Sequence, residues 1–239
     1  MLFRSPKRNF SVLRVKKDVL ARSNMGFIAT NRDSAADPLR PGDPYNRGIG
    51  FDANFFLLDH LSVQGFLTST YSPGKEKDHW AGRWRVYWDS DFWFANAERL
   101  TIQRNFNPEM GWLPRGDMHK NRFQFDLKPR PHIRGVRQMF FRATVDYITN
   151  QARELETRNQ DFTFETAFET GDRTLVRYSH LLDRIARPFR IQSRVSVPFG
   201  DYTWETALFR FTPATQRRIS GDISFKREWG FYEIGRAHV

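Results

Sequence analysis

The 239-residue chain contains no cysteine, and this absence removes several classes of chemistry. Disulfide bonds, thiolate metal sites and a cysteine nucleophile are all excluded. Long apolar runs are missing too, since no stretch approaches the roughly 18 apolar residues that a membrane-spanning helix needs. The first residues, 1–9, lack the apolar core of a secretory signal, so we expect no such signal in them.

The charge balance is basic but dispersed. Lysine and arginine number 38 against 27 aspartate and glutamate, which gives a formal charge of +11. A basic excess indicates nucleic-acid binding when it is gathered on one arm or helix. Here basic and acidic residues are interleaved along the chain, so we expect no nucleic-acid partner. The six histidines are dispersed without metal-ligand spacing, and we expect no metal and no other cofactor.

Alternating apolar and polar residues recur from one end of the chain to the other. In one example, Phe123, Phe125 and Leu127 alternate with Gln124 and Asp126. This two-residue period predicts about thirteen strands, many of about 8–12 residues, and no helix. The predicted strands lie near residues 9–16, 22–31, 49–57, 61–68, 83–88, 92–102, 122–128, 139–147, 162–169, 173–182, 191–197, 202–212 and 219–227.

Short and long connections alternate between these predicted strands. Tight turns are predicted at 59–60, 89–91, 170–172 and 199–201, and longer connections at 32–46, 72–79, 103–120, 150–160 and 183–188. A barrel that spans the outer membrane has this alternation, with short turns on one side and long loops on the other. The sequence therefore predicts an all-β fold, an antiparallel up-and-down transmembrane β-barrel that is incomplete, with about 12–13 strands.

The direction of the apolar face distinguishes a membrane barrel from a soluble β protein. In a soluble sandwich that face packs on a second sheet, whereas in a membrane barrel it points into lipid. Tryptophan and tyrosine near the predicted strand ends favour the barrel. A soluble β-rich binding module is the alternative. For the barrel we expect exposed Phe51, Phe55, Trp84, Phe141, Val145, Phe164 and Ile223, with Arg142, Asp146, Glu165 and Asp222 facing inward.

Mixed charges occupy the predicted polar face. They would either form a ladder of cross-strand pairs that stiffens the interior or bias a pore toward anions. We favour the ladder, because mixed charges of this kind usually pair with one another. The residues concerned are Arg83, Arg85, Arg122, Arg142 and Arg194 with Asp126, Asp146, Glu165 and Glu205.

The segment 104–117, with the sequence RNFNPEMGWLPRGD, predicts a structured loop. Pro108 and Pro114 each remove a backbone donor, and Gly111 and Gly116 permit positive φ. Long loops with their own turn chemistry are usually functional.

The candidate binding residues are the polar and aromatic members of this loop. They are Asn107, Glu109, Trp112, Arg115 and Asp117. Trp112 could stack on a sugar or another small solute at the mouth of the barrel. Alternatively the loop stabilises itself, through a turn at Asn107 and an ion pair from Glu109 to Arg115.

Four pieces of the chain carry a resemblance to a known family. They are 10–20 (FSVLRVKKDVL), 88–91 (WDSD), 105–111 (NFNPEMG) and 145–150 (VDYITN). The chain resembles the uncharacterised C-terminal barrel domain of bacterial envelope proteins whose N-terminus is a family-nine-type carbohydrate-binding domain. The resemblance runs from about residue 9 to residue 232, and the NFNPE piece is its most specific part.

The resemblance implies a place in the bacterial outer membrane, with lipid as a partner and carbohydrate as context. It implies a structural, transport or surface-anchoring role, and the family has no established catalytic residues to transfer. A carbohydrate-active hydrolase that uses rim-loop residues is the alternative function.

The last seven residues, 233–239 (EIGRAHV), look like a translated sequencing adapter. We therefore expect a partial barrel domain over 1–232 followed by a non-native tail that joins no ladder. In such a fragment the strand near 219–227 would leave an edge of the sheet unpaired.

Overall fold

The chain folds as long strands joined by turns and loops. A computed structural model describes residues 7–34, 43–113, 115–192, 195–218 and 220–230. No helix long and apolar enough to cross a membrane occurs in these ranges. Their fourteen strands are β1 (Arg8–Leu20), β2 (Ser23–Ser34), β3 (Tyr45–Phe56), β4 (Leu61–Tyr71), β5 (Trp80–Asp89), β6 (Trp93–Ile102), β7 (Met118–Leu127), β8 (Val136–Thr149), β9 (Leu155–Phe168), β10 (Arg173–Ile185), β11 (Phe189–Gln192), β12 (Val195–Val197), β13 (Gly200–Thr212) and β14 (Ile223–Trp229).

Twelve of the described strands form one sheet in the order β1 to β10, then β13 and β14. Each strand lies beside the one that precedes it in this sheet, which is the up-and-down arrangement predicted from the alternating pattern. The ladders are long, and β10 pairs with β13 without interruption from Arg173 to Ile185. The all-β, antiparallel and up-and-down parts of the prediction are confirmed.

The connection between β10 and β13 differs from the prediction. Residues 191–197, predicted as one strand of the sheet, belong to a separate hairpin in which β11 pairs with β12. The predicted turn at 199–201 lies where this connection ends and β13 begins. The prediction was wrong here because alternation shows which face a residue occupies, and not which strand is its neighbour.

Contacts within the chain define two compact units. Unit 1 comprises Met1–Val86 and Glu98–Lys120, and unit 2 comprises Tyr87–Ala97 and Asn121–Val239. Strands β1 to β4 lie wholly in unit 1, and strands β8 to β14 lie wholly in unit 2.

Each unit has a turn end and a loop end. In unit 1 the turn end carries the β1–β2 and β3–β4 turns, where Arg22 and Asp59 approach to 3.7 Å. Its loop end carries the β2–β3, β4–β5 and β6–β7 connections. Asp59 and Glu109 therefore lie at opposite ends of unit 1, as the alternation of connections predicts. In unit 2 the β8–β9 and β10–β13 connections form the loop end, and the other connections form the turn end.

In unit 1 the apolar face of the sheet is exposed. Phe27, Phe51 and Leu67 are direct partners across β2, β3 and β4. The rings of Phe27 and Phe51 are 5.2 Å apart, yet the Phe51 side chain remains 57% exposed. The opposite face carries buried polar side chains, among them Asn46, Ser62 and Thr70.

Unit 2 shows the same distribution. Val176 of β10 is the direct partner of both Phe164 in β9 and Phe209 in β13. All three side chains are exposed, whereas Asp126 and Thr144 on the opposite face are each 6% exposed.

The exposure of individual residues largely follows the prediction. Five of the expected apolar positions are exposed: Phe51, Trp84, Phe141, Phe164 and Ile223. Two others, Phe55 and Val145, are half-buried. On the polar side Asp146 and Glu165 are half-buried, but Arg142 and Asp222 are exposed. Exposure therefore agrees with the prediction more uniformly on the apolar face than on the polar face.

Strand β1 is exposed on both faces along its whole length. It pairs with β2, and Arg14 also bonds to Asp52 of β3, above Gly26 of β2. A Cβ atom at Gly26 would lie 2.6 Å from Arg14 Nη2 and 2.7 Å from Asp52 Oδ2. Glycine lets the two side chains meet over the backbone of the intervening strand, and a larger residue would require them to shift.

Polar contacts join successive connections at the turn end of unit 2, and we call this set the turn-end belt. Asp89 pairs with Lys128 at 3.0 Å, and Asp91 pairs with Arg130. These contacts link the β5–β6 turn to the β7–β8 connection. That connection is linked in turn to the β9–β10 turn, where the backbone amide of residue 169 donates to the carbonyl of residue 135 at 3.0 Å.

Asp172 extends the turn-end belt to the β13–β14 connection. Its carboxylate accepts hydrogen bonds from the Thr170 hydroxyl at 2.8 Å, the Ala214 amide at 2.9 Å and the Arg217 guanidinium. Gly171 permits the tight turn beside it with a φ of 88°. The Arg217 hydrogen bond, with smaller contributions from Ala214 and Thr170, holds the pKa of Asp172 well below its ordinary value.

Candidate functional site

The loop between β6 and β7 is fixed to the β4–β5 connection by two asparagines. The Asn105 backbone amide donates to Asp78 O at 2.8 Å, and its side chain donates to Lys77 O at 2.8 Å. The Asn107 backbone amide donates to Thr70 Oγ1 at 2.9 Å. The distinctive NFN sequence therefore anchors this loop.

Asn46, at the start of β3, holds the same loop from the other side. Its side-chain amide is 2% exposed and donates to both Ser72 Oγ and Asn107 O at 2.8 Å. Leaving such an amide unpaired would cost about 1–3 kcal/mol. Both bonds are therefore important to the position of the loop.

An ion pair in which only the arginine is buried completes this arrangement. Arg32 at the end of β2 is 5% exposed and pairs with Glu109. Its Nη1 donates to Asp43 O at 2.6 Å, while its Nε is buried without a hydrogen-bond partner among the described residues. We define the loop-end cluster as Arg32, Asn46, Thr70, Asn105, Asn107 and Glu109.

Two of the five candidate binding residues are thus part of the loop's own framework. Asn107 Nδ2 also donates to Glu109 Oε1 at 3.3 Å. Glu109 also pairs with Arg32 of β2, a partner that the sequence does not predict. Sequence reasoning missed Arg32 and Asn46, because nothing in a β-strand pattern marks a contact to a distant loop.

Of the other three candidate residues, two are exposed and Asp117 is half-buried. Trp112 is 84% exposed, and Arg115 is exposed as well. Asp117 has a φ of 56° and pairs with Arg104 at 3.3 Å. Its Oδ1 is buried without a hydrogen-bond partner among the described residues. Trp112 therefore offers an open aromatic plane on a loop whose base is firmly held.

The polar face carries the expected ladder of cross-strand ion pairs. Six predicted members of the ladder take carboxylate or guanidinium partners, and Arg194 lies outside the described residues. Glu205 is an exception: it occupies the apolar face, directly opposite His180 and Trp229. The measured pairs are Arg83–Glu98 (3.1 Å), Arg122–Asp146 (3.2 Å), Arg142–Asp126 (3.0 Å) and Arg173–Glu165 (3.2 Å).

The described residues place no group of three or more histidine or acidic side chains where they could hold a metal ion. Searches of protein-family models, curated proteins and solved structures gave no match to this chain. The site's chemistry therefore comes from the geometry alone. In unit 1 the site combines a hydrogen-bonded loop base with an exposed indole.

Proposed function

We propose that the chain is a membrane-embedded β-sheet of the outer-membrane barrel type, with a structural, transport or surface-anchoring role. The observation that supports it is the reversal of burial: exposed Phe51 and Phe125 against buried Asp126 and Thr144. In water, each large apolar side chain left exposed forgoes about 1.5–3 kcal/mol of burial. In lipid the same side chains are in contact with hydrocarbon.

The length of the apolar stripe fits a bilayer. On β8 the stripe runs from Met139 to Tyr147, all on one face. Eight residue steps at about 3.3 Å give about 26 Å along the strand. A tilt of about 40° reduces this to about 20 Å, close to the apolar band of about 25 Å in such barrels.

Aromatic residues in unit 2 support the same placement. Trp88 and Trp93 stack at 5.4 Å between ring centroids, and Phe125 lies 6.2 Å from Trp93. All three are near the turn end, where a girdle of aromatic rings would meet the membrane surface.

Within this proposal the polar face lines the interior, and Trp112 contacts a small solute at the loop end. Carbohydrate is the solute class that the family resemblance implies. The proposed role needs no catalytic site, and Glu109, Asp126, Asp146 and Glu165 each pair with an arginine. A soluble module would need its apolar face covered, and in the described residues the second sheet is only the β11–β12 hairpin.

The proposal is tested by placing the same residue on adjacent positions of β10. Val176→Arg puts a charge among exposed Phe164 and Phe209 and should cost about 2–4 kcal/mol of bilayer insertion. Leu175→Arg puts it on the polar face, directly opposite Glu165, and should insert normally. Folding into phosphatidylcholine vesicles provides the measurement. Equal behaviour of the two variants would contradict a lipid-facing surface.

A further inference from the structure

The exposed face changes character toward the loop end of each unit. On β10, Val176 is flanked by phenylalanines, but four residues further on His180 is flanked by Gln160 and Glu205. On β3, Phe51 is followed four residues toward the loop end by exposed Arg47. The apolar band therefore ends before the strands do.

Arginines stacked on aromatic rings occur at this boundary in both units. The Arg47 guanidinium lies 4.9 Å from the centroid of the Tyr45 ring, and the Arg227 guanidinium lies 5.2 Å from that of Trp229. Arg227 follows exposed Phe225 on the same face of β14. Arginine stacked on an aromatic face keeps its hydrogen-bond donors available for an anion.

Arg158 is a third arginine at the boundary. It is the direct partner of Tyr147 and Leu182. Its Nε is buried and has no hydrogen-bond partner in the ranges that the structure describes. An arginine donor that is shielded from water and unpaired is suited to an anionic ligand.

These three arginines differ from those on the polar face. Arg83, Arg122 and Arg142 each pair with a carboxylate. We call Arg47, Arg158 and Arg227 the basic margin. By contrast, the described residues provide no carboxylate partner for any of these three arginines.

We propose that the basic margin binds the phosphate groups of lipid headgroups. This inference rests on the proposed membrane placement, which brings the end of the apolar band to the level of the headgroups. Arginine forms bidentate bonds to phosphate oxygens, and the tyrosine and tryptophan rings beside it prefer the same interfacial depth. The missing acidic partners are supplied by the lipid.

The test uses the full chain folded into vesicles of phosphatidylcholine with phosphatidylglycerol. Quenching of tryptophan fluorescence by brominated forms of either lipid gives their relative affinity for the protein surface. The triple variant Arg47→Gln, Arg158→Gln, Arg227→Gln should lower the preference for phosphatidylglycerol by about fivefold for each arginine removed, since a basic residue at the surface contributes about 1 kcal/mol.

A second triple variant tests whether the lipid preference depends on the position of the arginines or only on the net charge of the chain. Lys16→Gln, Arg177→Gln, Arg210→Gln removes the same charge from the opposite face and should leave the lipid preference unchanged. Equal effects of the two triple variants would overturn the proposal, as would displacement of the bound lipid by millimolar inorganic phosphate. Wild-type protein that inserts into neither lipid would overturn the membrane placement itself.

Discussion

The loop-end cluster of unit 1 and the turn-end belt of unit 2 both join successive connections of a sheet, but they do so through different kinds of contact. The loop-end cluster uses buried amide and hydroxyl groups, with one ion pair whose Arg32 side chain is 6% exposed. Apart from Asp172, which is 7% exposed, the turn-end belt uses accessible ion pairs such as Asp91–Arg130, whose side chains are 81% and 54% exposed.

The difference in burial determines how each region responds to its surroundings. Salt screens exposed charges but has little effect on bonds between buried amides. An exposed pair contributes little by itself, whereas a buried group that loses its partner is strongly destabilising. The loop end should therefore be sensitive to mutation, and the turn end to salt and acid.

The largest effect should come from Glu109→Ala. Removing the Glu109 carboxylate leaves the buried Arg32 guanidinium without its ionic partner, and an unpaired buried charge typically costs about 3–5 kcal/mol. Denaturant unfolding of the folded protein in micelles gives the loss in stability. Arg22→Ala, which removes the exposed partner of Asp59, is the control and should change little. A similar loss in both variants would remove the distinction between buried and exposed pairs.

Asn46→Ala should have the next largest effect, about 1–3 kcal/mol, because two buried hydrogen bonds are lost. The consequence should be local, with faster proteolysis of the β6–β7 loop. Asn105→Ala loses an exposed side-chain bond to Lys77 O and should have a smaller effect. Faster proteolysis in the Asn105 variant than in the Asn46 variant would contradict the ranking by burial.

Acid should weaken the turn-end belt through Asp172. Because its pKa is lowered in the folded chain, Asp172 contributes stability that is fully present above its unfolded pKa. That contribution is lost as the pH falls below about 4 toward the folded pKa. The protection of the Ala214 amide against hydrogen exchange, relative to an unstructured amide at the same pH, should therefore fall in acid.

The Asp172→Asn variant sharpens this test. Its Ala214 amide should exchange about tenfold faster at neutral pH, through loss of a charge-assisted hydrogen bond. The protection of this amide should also show no further loss in acid over the same pH range. If the variant kept the wild-type acid response, another group would control this connection.

The smallest effect should be that of Asp91→Asn. The Asp91–Arg130 pair is exposed, and Arg130 holds the pKa of Asp91 below its ordinary value by a hydrogen bond. A slight loss of thermal stability should appear at low salt and vanish near 1 M salt, where the Debye length is about 3 Å. A loss that persisted at high salt would show that salt does not screen this pair, as is expected of a buried pair and not of an exposed one.

The strands were predictable from the sequence where alternation is clean. Phe123 and Phe125 alternate with polar residues, and both the strand and its exposed face agree with the prediction. On β13 the pattern is mixed, and only the pairing with His180 shows that Glu205 lies on the apolar face. A single sequence carries no signal for such a register.

The candidate site was predictable in location but not in its contacts. Proline and glycine marked the β6–β7 loop, and their effect on the backbone is local. The partner of Glu109, Arg32, lies on a distant strand, and such pairing depends on the order of strands in the sheet. For the same reason the sequence pattern predicts one strand of the main sheet where β11 and β12 form a separate hairpin.

Gly26 has a mechanical consequence for the edge of the sheet. Strand β1 has one neighbour in the described sheet, so under a pulling force it would detach one hydrogen-bonded pair of residues at a time. At Arg14 the force would also have to break the bond to Asp52, two strands away. The absence of a side chain at residue 26 thus allows a third strand to resist the peeling of the first.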